Sequence, residues 1–455
     1  MRTPGILGLV VPALLAPLAA LHAGEPSGVV VGLVDYGDPA TVSARLVAPF
    51  KLQLAVDPKG ETQPLRIRVE LPVSGPRAWP AADVEVRDAQ GKALTVRRPG
   101  IEWHKLSFPV SAVAANYFVQ AVPPPGGKLA LPSERERALV DSATGVRVGI
   151  AKWHDGRKAA LSIRFDDSHP THLTKAIPIL REYGFRGTFM VNPGPSEPGS
   201  RRRSEFEARW AEWEAVAQRG DQELANHTAH HRGAVGDDDM EAEIGGAAQA
   251  IWKLTPGRSK LMALNLGGGT FWETTRTLRY YLDKYYLFET SGSLGMDDTY
   301  GNRVAAFRRA LEQHIERGLW CRIHYHGIGD GLGSSEANFR TALDVAKEHQ
   351  SRLWIAGMAD IHKYQTERNA SKLALQQTGP KRLAFQLICL TDATLYDQPL
   401  TIEALLPPAF DAARLVVKDD RGKVIPTRRV QQDGAAILRF DVAPRNAVYA
   451  IELTP

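Results

Sequence analysis

Cysteine is nearly missing from this chain: Cys321 and Cys389 are the only two in 455 residues. A disulfide-stapled scaffold is therefore excluded, and because the two fall in what read as different domains, both are expected to be buried free thiols. Long apolar runs are equally scarce. The one at the start, Ile6 to Leu21, is broken by Pro12 and Pro17, which argues against a stable membrane-spanning helix. Charge of one sign is not concentrated either. Lys and Arg number 56 against 51 acids, for a net charge of +5 and a pI near 9.0. The single dense basic run, "RRRSEFEAR" (201–209), carries its own glutamates and reads as a solvated loop and helix start, so no nucleic-acid partner is expected.

What is present starts with the N-terminus. Residues 1–24 carry Arg2, a short apolar stretch and "LHAG", with no acid before Glu25. That is the pattern of a signal peptide, and it predicts a secreted or periplasmic protein with no membrane span once the signal is removed. No cysteine follows the apolar stretch, so a lipid anchor of that kind is not expected. The 44% hydrophobic and 24% charged composition is globular, and the length points to two to four domains.

The two ends of the chain resemble each other. "QPLRIRVELP" (63–72) matches "QPLTIEALLP" (398–407) at six of ten positions, and "ADVEVRDAQGKALTVRR" (82–98) matches "ARLVVKDDRGKVIPTRR" (413–429) at seven of seventeen. Both alternate apolar and polar residues around an Asp-x-x-Gly turn. Both then run to a closing strand, "NYFVQAV" or "NAVYAIEL". Two related β-sandwich modules are predicted, over residues 25–148 and 367–455, with "VPPPGGK" (122–128) loosening the first into a linker. Trp79 and Trp103 are candidates to stack on sugar rings there, or to sit in the core.

Between them, short apolar strands alternate with amphipathic helical stretches. The seven strand candidates, "AALSIRF", "GTFMVN", "ELANHT", "LMALNL", "YLFETS", "LWCRIHYHG" and "LWIAGMADI", run to Phe165, Asn192, Thr228, Leu266, Ser291, Gly327 and Ile361. This α/β rhythm predicts a distorted (β/α)7 barrel over residues 149–366. Chemistry in such folds gathers where the carboxyl ends of the strands converge. Seven of the 13 histidines lie in three places, at 169 and 172, at 227, 230 and 231, and at 324 and 326, each after a predicted strand. Asp166 and Asp167 stand at the same level. Two adjacent carboxylates at a strand end need a cation, water or a proton between them.

His227 and His231 are four apart, a spacing that lets two imidazoles reach one cation. With a carboxylate they make a catalytic rather than structural metal site, and the second aspartate is then free to take a proton from water. These residues resemble the metal-dependent polysaccharide deacetylases with a NodB homology domain (carbohydrate esterase family 4). "RFDDS" is similar to the family's first motif, His227–Thr228 with His231 to its second, and "CRIHYHG" to its fifth. The resemblance covers about residues 150–365. It implies Asp166 as general base, Asp167, His227 and His231 as metal ligands, and a histidine of "HYHG" as general acid. His326 is preferred for that role, with His324 or Asp330 to orient it.

The sequence departs from the family in three ways. Ser168 replaces a glycine. The third motif's arginine and proline are missing from "ALNLGGGTFW" (263–272), which leaves Arg164 or a nearby histidine to set the base, and Asn265 with the amides of Gly267, Gly268 and Gly269 to bind an oxyanion. His169, His172 and His230 are additional, and His230 reads as a surface residue turned away from the pair. Trp272 is a candidate floor for a sugar subsite. The function read from all this is removal of acetyl groups, N-acetyl favoured, from a carbohydrate, using one divalent ion, zinc ahead of cobalt, nickel or iron. An O-acetyl glycan esterase and a glycan-binding barrel without turnover are the alternatives. Oligomeric state is left open.

Overall fold

The structure, a computed structural model, describes residues 30–453 apart from 34–40, 49, 60–64, 73–78, 80–82, 98–103, 123–131, 143, 197–203, 277, 291, 330–331, 380–381, 408–413 and 433. The expected signal peptide, most of the expected linker, Trp103 and Asp330 lie outside the described residues. The chain divides into two compact units, Met1–Ser133 with Leu390–Asp392, and Glu134–Cys389 with Ala393–Pro455.

The first unit consists of β1 (Val30–Leu33), β2 (Thr41–Ala48), β3 (Lys51–Asp57), β4 (Leu65–Glu70), β5 (Asp83–Asp88), β6 (Lys105–Val110) and β7 (Ala115–Val122). They form two antiparallel sheets, ordered β1-β4-β6 and β2-β3-β7-β5. Period-2 alternation explains the packing. In β4, Leu65, Ile67 and Val69 are buried while Arg66, Arg68 and Glu70 are less so. The inward residues of both sheets meet in one cluster that includes Leu54, Ile67, Val86, Phe108 and Val119. Trp79 belongs to that cluster at 5% exposure, so it is a core residue and not a sugar platform.

The second unit opens with β8 (Ala138–Val140) and β9 (Arg147–Ile150) and then enters the α/β part. In chain order this comprises β10 (Ala159–Phe165), α1 (Ile177–Tyr183), β11 (Gly187–Val191), α2 (Glu205–Ala208), α3 (Trp210–Arg219), β12 (Glu223–Asn226), β13 (Ala234–Val235), α4 (Asp237–Met240), α5 (Gly246–Leu254), β14 (Met262–Leu264) and β15 (Trp272–Glu273). There follow α6 (Leu278–Lys284), β16 (Leu287–Glu289), β17 (Leu294–Gly295), α7 (Arg303–Arg317), β18 (Trp320–Tyr325), β19 (Gly327–Ile328), β20 (Gly333–Ser334), α8 (Glu336–Glu348), β21 (Leu353–Ile355) and α9 (Met358–Asn369). The main sheet is parallel, ordered β16-β14-β12-β11-β10-β18-β17, with β21 beside β10. All seven expected strands are in it, and the two-residue β17 is an addition. The last expected strand is shorter than read, because α9 starts at Met358. Among the described residues no ladder joins β16 to β17, so the sheet is curled and open.

β10 lies at the middle of this sheet and is buried throughout. Leu161, Ile163 and Phe165 pack with the helices in the large core. Its other face carries Ser162, Arg164 and, one step past its end, Asp166. Phe165 stacks between Phe189 of β11 and Tyr325 of β18, at 4.8 and 5.5 Å between ring centres, so three neighbouring strand ends are locked by one aromatic row.

The chain then forms β22 (Ser371–Gly379), β23 (Arg382–Cys389), β24 (Leu400–Leu406), β25 (Leu415–Lys418), β26 (Val424–Ile425), β27 (Thr427–Gln432), β28 (Ala435–Val442) and β29 (Ala447–Leu453). These make two sheets around a second apolar cluster, ordered β22-β23-β29-β25-β26 and β27-β28-β24-β9-β8. The expected boundary at residue 148 therefore falls differently. β9 pairs with β24, Ile150 opposite Ile402, so β8 and β9 belong with the C-terminal sheets.

With β9 restored to its place, the two ends of the chain share one topology. β1-β4-β6 corresponds to β9-β24-β28, and β2-β3-β7-β5 to β22-β23-β29-β25. The first hairpin of each carries a register shift, at Leu46/Ala48 and at Leu375/Gln377. The turns repeat bond for bond. Asp88 Oδ1 accepts from the amides of Gln90 and Lys92, and Asp419 Oδ1 from those of Arg421 and Lys423. Gly91 and Gly422 sit at φ 81° and 75°, the left-handed conformation such a turn needs. The α/β part thus lies between the first and second strands of the C-terminal copy.

Candidate active site and metal centre

Parallel register places the ends of β10, β11, β12, β14 and β18 side by side, so the residues just past those ends lie along one edge of the sheet. Those residues are Asp166, Asn192, His227, Asn265 and His326. After Asp166 the chain turns through Asp167 and Ser168 at φ 77° and 50°. Strained backbone of this kind persists where the surroundings hold it. Here Ser168 Oγ accepts the Asn192 amide at 2.8 Å, and Asn192 Nδ2 donates to the carbonyls of His227 and Thr228 at 2.6 and 3.1 Å. Asn192, which the sequence did not single out, therefore ties the aspartate turn to the histidine loop. A glycine would take the Ser168 conformation without strain, and the serine hydroxyl offsets that loss with a hydrogen bond.

The histidine loop is fixed in the same way. Thr228 and His231 have φ of 66° and 54°, and the His231 amide donates to Thr228 Oγ1 at 3.0 Å. His227 is 2% exposed, and its Nδ1–H donates to the Asn265 carbonyl at 2.9 Å. That bond leaves a lone pair on Nε2, which lies 3.1 Å from Asp167 Oδ1. His231 Nε2 is 3.8 Å from the same oxygen. One ligand atom from each of Asp167, His227 and His231 lies within 4.8 Å of the other two. A carboxylate oxygen and an imidazole lone pair face each other comfortably only with a cation or a proton between them. Burial pushes the Asp167 carboxyl up, but His227 at hydrogen-bond distance, with His231 and His326 nearby, outweighs it and holds the group at about 2. The donor set, two imidazoles and one ionised carboxylate, fits a divalent metal with positions left open.

Next to Asp167 in the chain, Asp166 is 3% exposed. Its Oδ2 accepts from Arg164 Nη2 at 2.7 Å, while Oδ1 is buried with no protein partner. His326 presents Nε2 toward the site, 3.9 Å from Asp167 Oδ2. Its Nδ1–H donates to Asp297 Oδ2 at 2.6 Å, and its backbone amide to Asp297 Oδ1 at 3.0 Å. Asp297 is fully buried. Its hydrogen bond raises the His326 pKa against the opposing effect of burial, and the charges of Asp297, Asp167 and Asp166 add to it. Asp297, and not His324, is thus the residue that orients His326. His324 is engaged with Ser293 Oγ at 2.9 Å, and burial holds its pKa down at about 4.

Of the additional histidines, one supports the site from outside it. His172 is fully buried against Phe165, Phe189 and Trp213, and its Nε2–H donates to the His326 carbonyl at 2.5 Å. His230 turns away from the pair, and its Nδ1 meets the buried Glu243 at 2.7 Å. His169 contacts Thr171 Oγ1.

Two of the expected oxyanion donors have other partners. The Gly267 amide donates to Asn265 Oδ1 and Asn265 Nδ2 to the Thr290 carbonyl, both at 2.9 Å. Asn265 thereby shapes the loop that holds His227, and Gly267 packs directly on the His231 ring. Gly268 stands exposed beside them. Trp272 is half-buried in β15, its Nε1–H bonded to Thr270 Oγ1 at 2.7 Å. The neighbouring Phe271 is the exposed aromatic of that loop, at 65%.

Residues 154–284 match the polysaccharide deacetylase family. Over 334 residues the chain is 21% identical to a gellan lyase from a Bacillus species, covering 65% of this chain and 13% of that much longer relative. Among solved structures it is similar to a family 4 carbohydrate esterase from Streptomyces lividans in complex with acetate, at 22% identity over 45% of this chain and 94% of that one, with a TM-score of 0.33. The peptidoglycan deacetylase PdaC from Bacillus subtilis gives 14% identity, 47% and 94% coverage and a TM-score of 0.31.

Proposed function

We propose that this protein, whose residues 154–284 match the polysaccharide deacetylase family, is an exported, metal-dependent hydrolase that removes acetyl groups, preferentially N-acetyl, from a polysaccharide. The observation that carries the reading is the convergence of three kinds of group at one end of the parallel sheet. These are the Asp167, His227 and His231 donors, the unpartnered Oδ1 of Asp166, and His326 backed by Asp297. A divalent ion on the three donors supplies Lewis acidity toward the acyl oxygen and acidity to a water. Asp166 takes a proton from the attacking water, and His326 gives one to the departing nitrogen. Water and acetamide thus become amine and acetate. Asp297 keeps His326 in the tautomer and orientation to donate from Nε2. The paired sheets at both ends are read as sandwich modules that flank the catalytic part. A barrel that binds glycan without turnover has less support, because a buried base and an oriented acid serve no purpose in mere binding.

The test is metal analysis together with acetate release from N-acetylated and O-acetylated glycans. Asp166→Asn is expected to keep its metal and lose about 100-fold or more in kcat. His231→Ala is expected to lose the metal. Full metal without acetate from any substrate would defeat the deacetylase reading, and preference for O-acetyl substrates would replace amidase by esterase.

A further inference from the structure

We infer that Arg164 is the positioning residue of the base, holding Asp166 by one oxygen so that the other is left to take the proton. The inference rests on the deacetylase reading above. Arg164 and Asp166 are two apart on β10 and so share a face. The guanidinium donates from Nη2 to Oδ2 at 2.7 Å, with side-chain exposures of 7% and 4%. Among the described residues Arg164 is the cation that the structure pairs with this carboxylate. Oδ1, on the same carboxylate, is buried without a protein partner. The two oxygens therefore have different roles: Oδ2 is anchored and Oδ1 is presented.

Both partners of this ion pair are confined by burial. The Asp166 amide donates to the Tyr325 carbonyl at 2.9 Å, which fixes the backbone under the carboxylate. Arg164 lies opposite His324 in the β10–β18 ladder, on a strand buried along its whole length. A guanidinium in such a place has few rotamers open to it, so the carboxylate it grips has few as well. Proton abstraction needs the acceptor oxygen within about 3 Å of the water, and a misplacement of about 1 Å costs about 100-fold in rate. The sequence places this arginine on the same strand as the base, whereas the glycine-rich stretch after β14 brings no cation to it.

The experiment measures kcat, KM, bound metal and melting temperature for the full chain with Arg164→Met, Arg164→Lys and Asp166→Asn, and for the Arg164→Met/Asp166→Asn double variant. Arg164→Met is expected to lower kcat by about 100-fold with metal content and KM close to those of the parent. Arg164→Lys, which keeps the charge and one donor, is expected to recover about tenfold of that loss. In the Asp166→Asn background Arg164→Met is expected to cost little more, because a residue that acts through the base has nothing left to act on. If Arg164→Met does not fold, Arg164→Gln takes its place in the same comparison. Parental kcat in Arg164→Met, a loss explained by missing metal, or an equal loss with and without Asp166 would each overturn the inference. Parental turnover in Asp166→Asn would instead remove the base assignment itself.

Discussion

Gly267 carries a heavier constraint than its neighbours. Its φ is +78°, and a Cβ there would sit 2.0 Å from His231 Nε2, the atom that faces the metal position. Gly267→Ala is therefore expected to push His231 aside and weaken metal binding by about 10–100-fold in a chelator competition, whereas Gly268→Ala, with nothing within 4 Å, leaves affinity unchanged. Equal affinities for the two variants would contradict the close approach. Burial also accounts for Cys321, whose thiol is pushed up to about 12. It should resist alkylation in the native protein and react once the chain is unfolded. The ligand triad was legible in the sequence because each part is local, a D-D pair and an H-x-x-x-H. Strands ending at one level then bring the parts together. Asp297 was not legible. It reaches His326 from an irregular loop 29 residues away, and no spacing rule connects such positions, although a second adjacent pair, Asp297–Asp298, marked the place.

At the scale of elements, α9 carries a buried acid that the site does not use. Glu367 is fully buried, with Oε1 accepting the Gln398 amide at 2.9 Å and Oε2 lacking a partner. Burial raises its pKa from 4.5 to about 9; the Gln398 bond and Lys363 oppose this, and Asp397 and Asp360 add to it. The folded state thus keeps a proton that the unfolded chain releases above about pH 4.5. Fewer protons on the unfolded state mean that stability falls as pH rises through that window, up to about 9. Glu367→Gln should flatten the fall, so that between about pH 5 and pH 8 its melting temperature drops by less than that of the parent. Parallel profiles would count against a protonated Glu367. The strands and helices of the middle region were readable from their two periodicities. The ends of β21 and α9 were not, since "LWIAGMADI" is apolar on both sides of the change and only the Gly357 N-cap separates strand from helix.

At the scale of the molecule, α9 links the barrel to the C-terminal sheets. Tyr364 is fully buried in the C-terminal apolar cluster and donates to the Ala151 carbonyl at 2.9 Å, while Ile361, one turn earlier, packs on Ala160 of β10. Barrel and C-terminal sheets are expected to unfold together. Tyr364→Ala, a loss of about 3–5 kcal/mol, should shift the denaturant midpoints of catalytic activity and of far-ultraviolet circular dichroism in step. Separate midpoints would indicate two independent folding bodies. The boundary between domains escaped the sequence for a related reason. β9 finds its partner β24 about 250 residues later, and pairing over that distance leaves no local trace.

The insertion of the barrel between β9 and β22 also sets an order of events during synthesis. β9 leaves the ribosome long before the strand it must pair with, whereas every strand of the barrel is complete before β24 is made. Short-range contacts form first and a long loop closes last. The barrel is then the scaffold on which the second copy assembles, and the first copy, with no such interruption, can mature as soon as its seventh strand emerges.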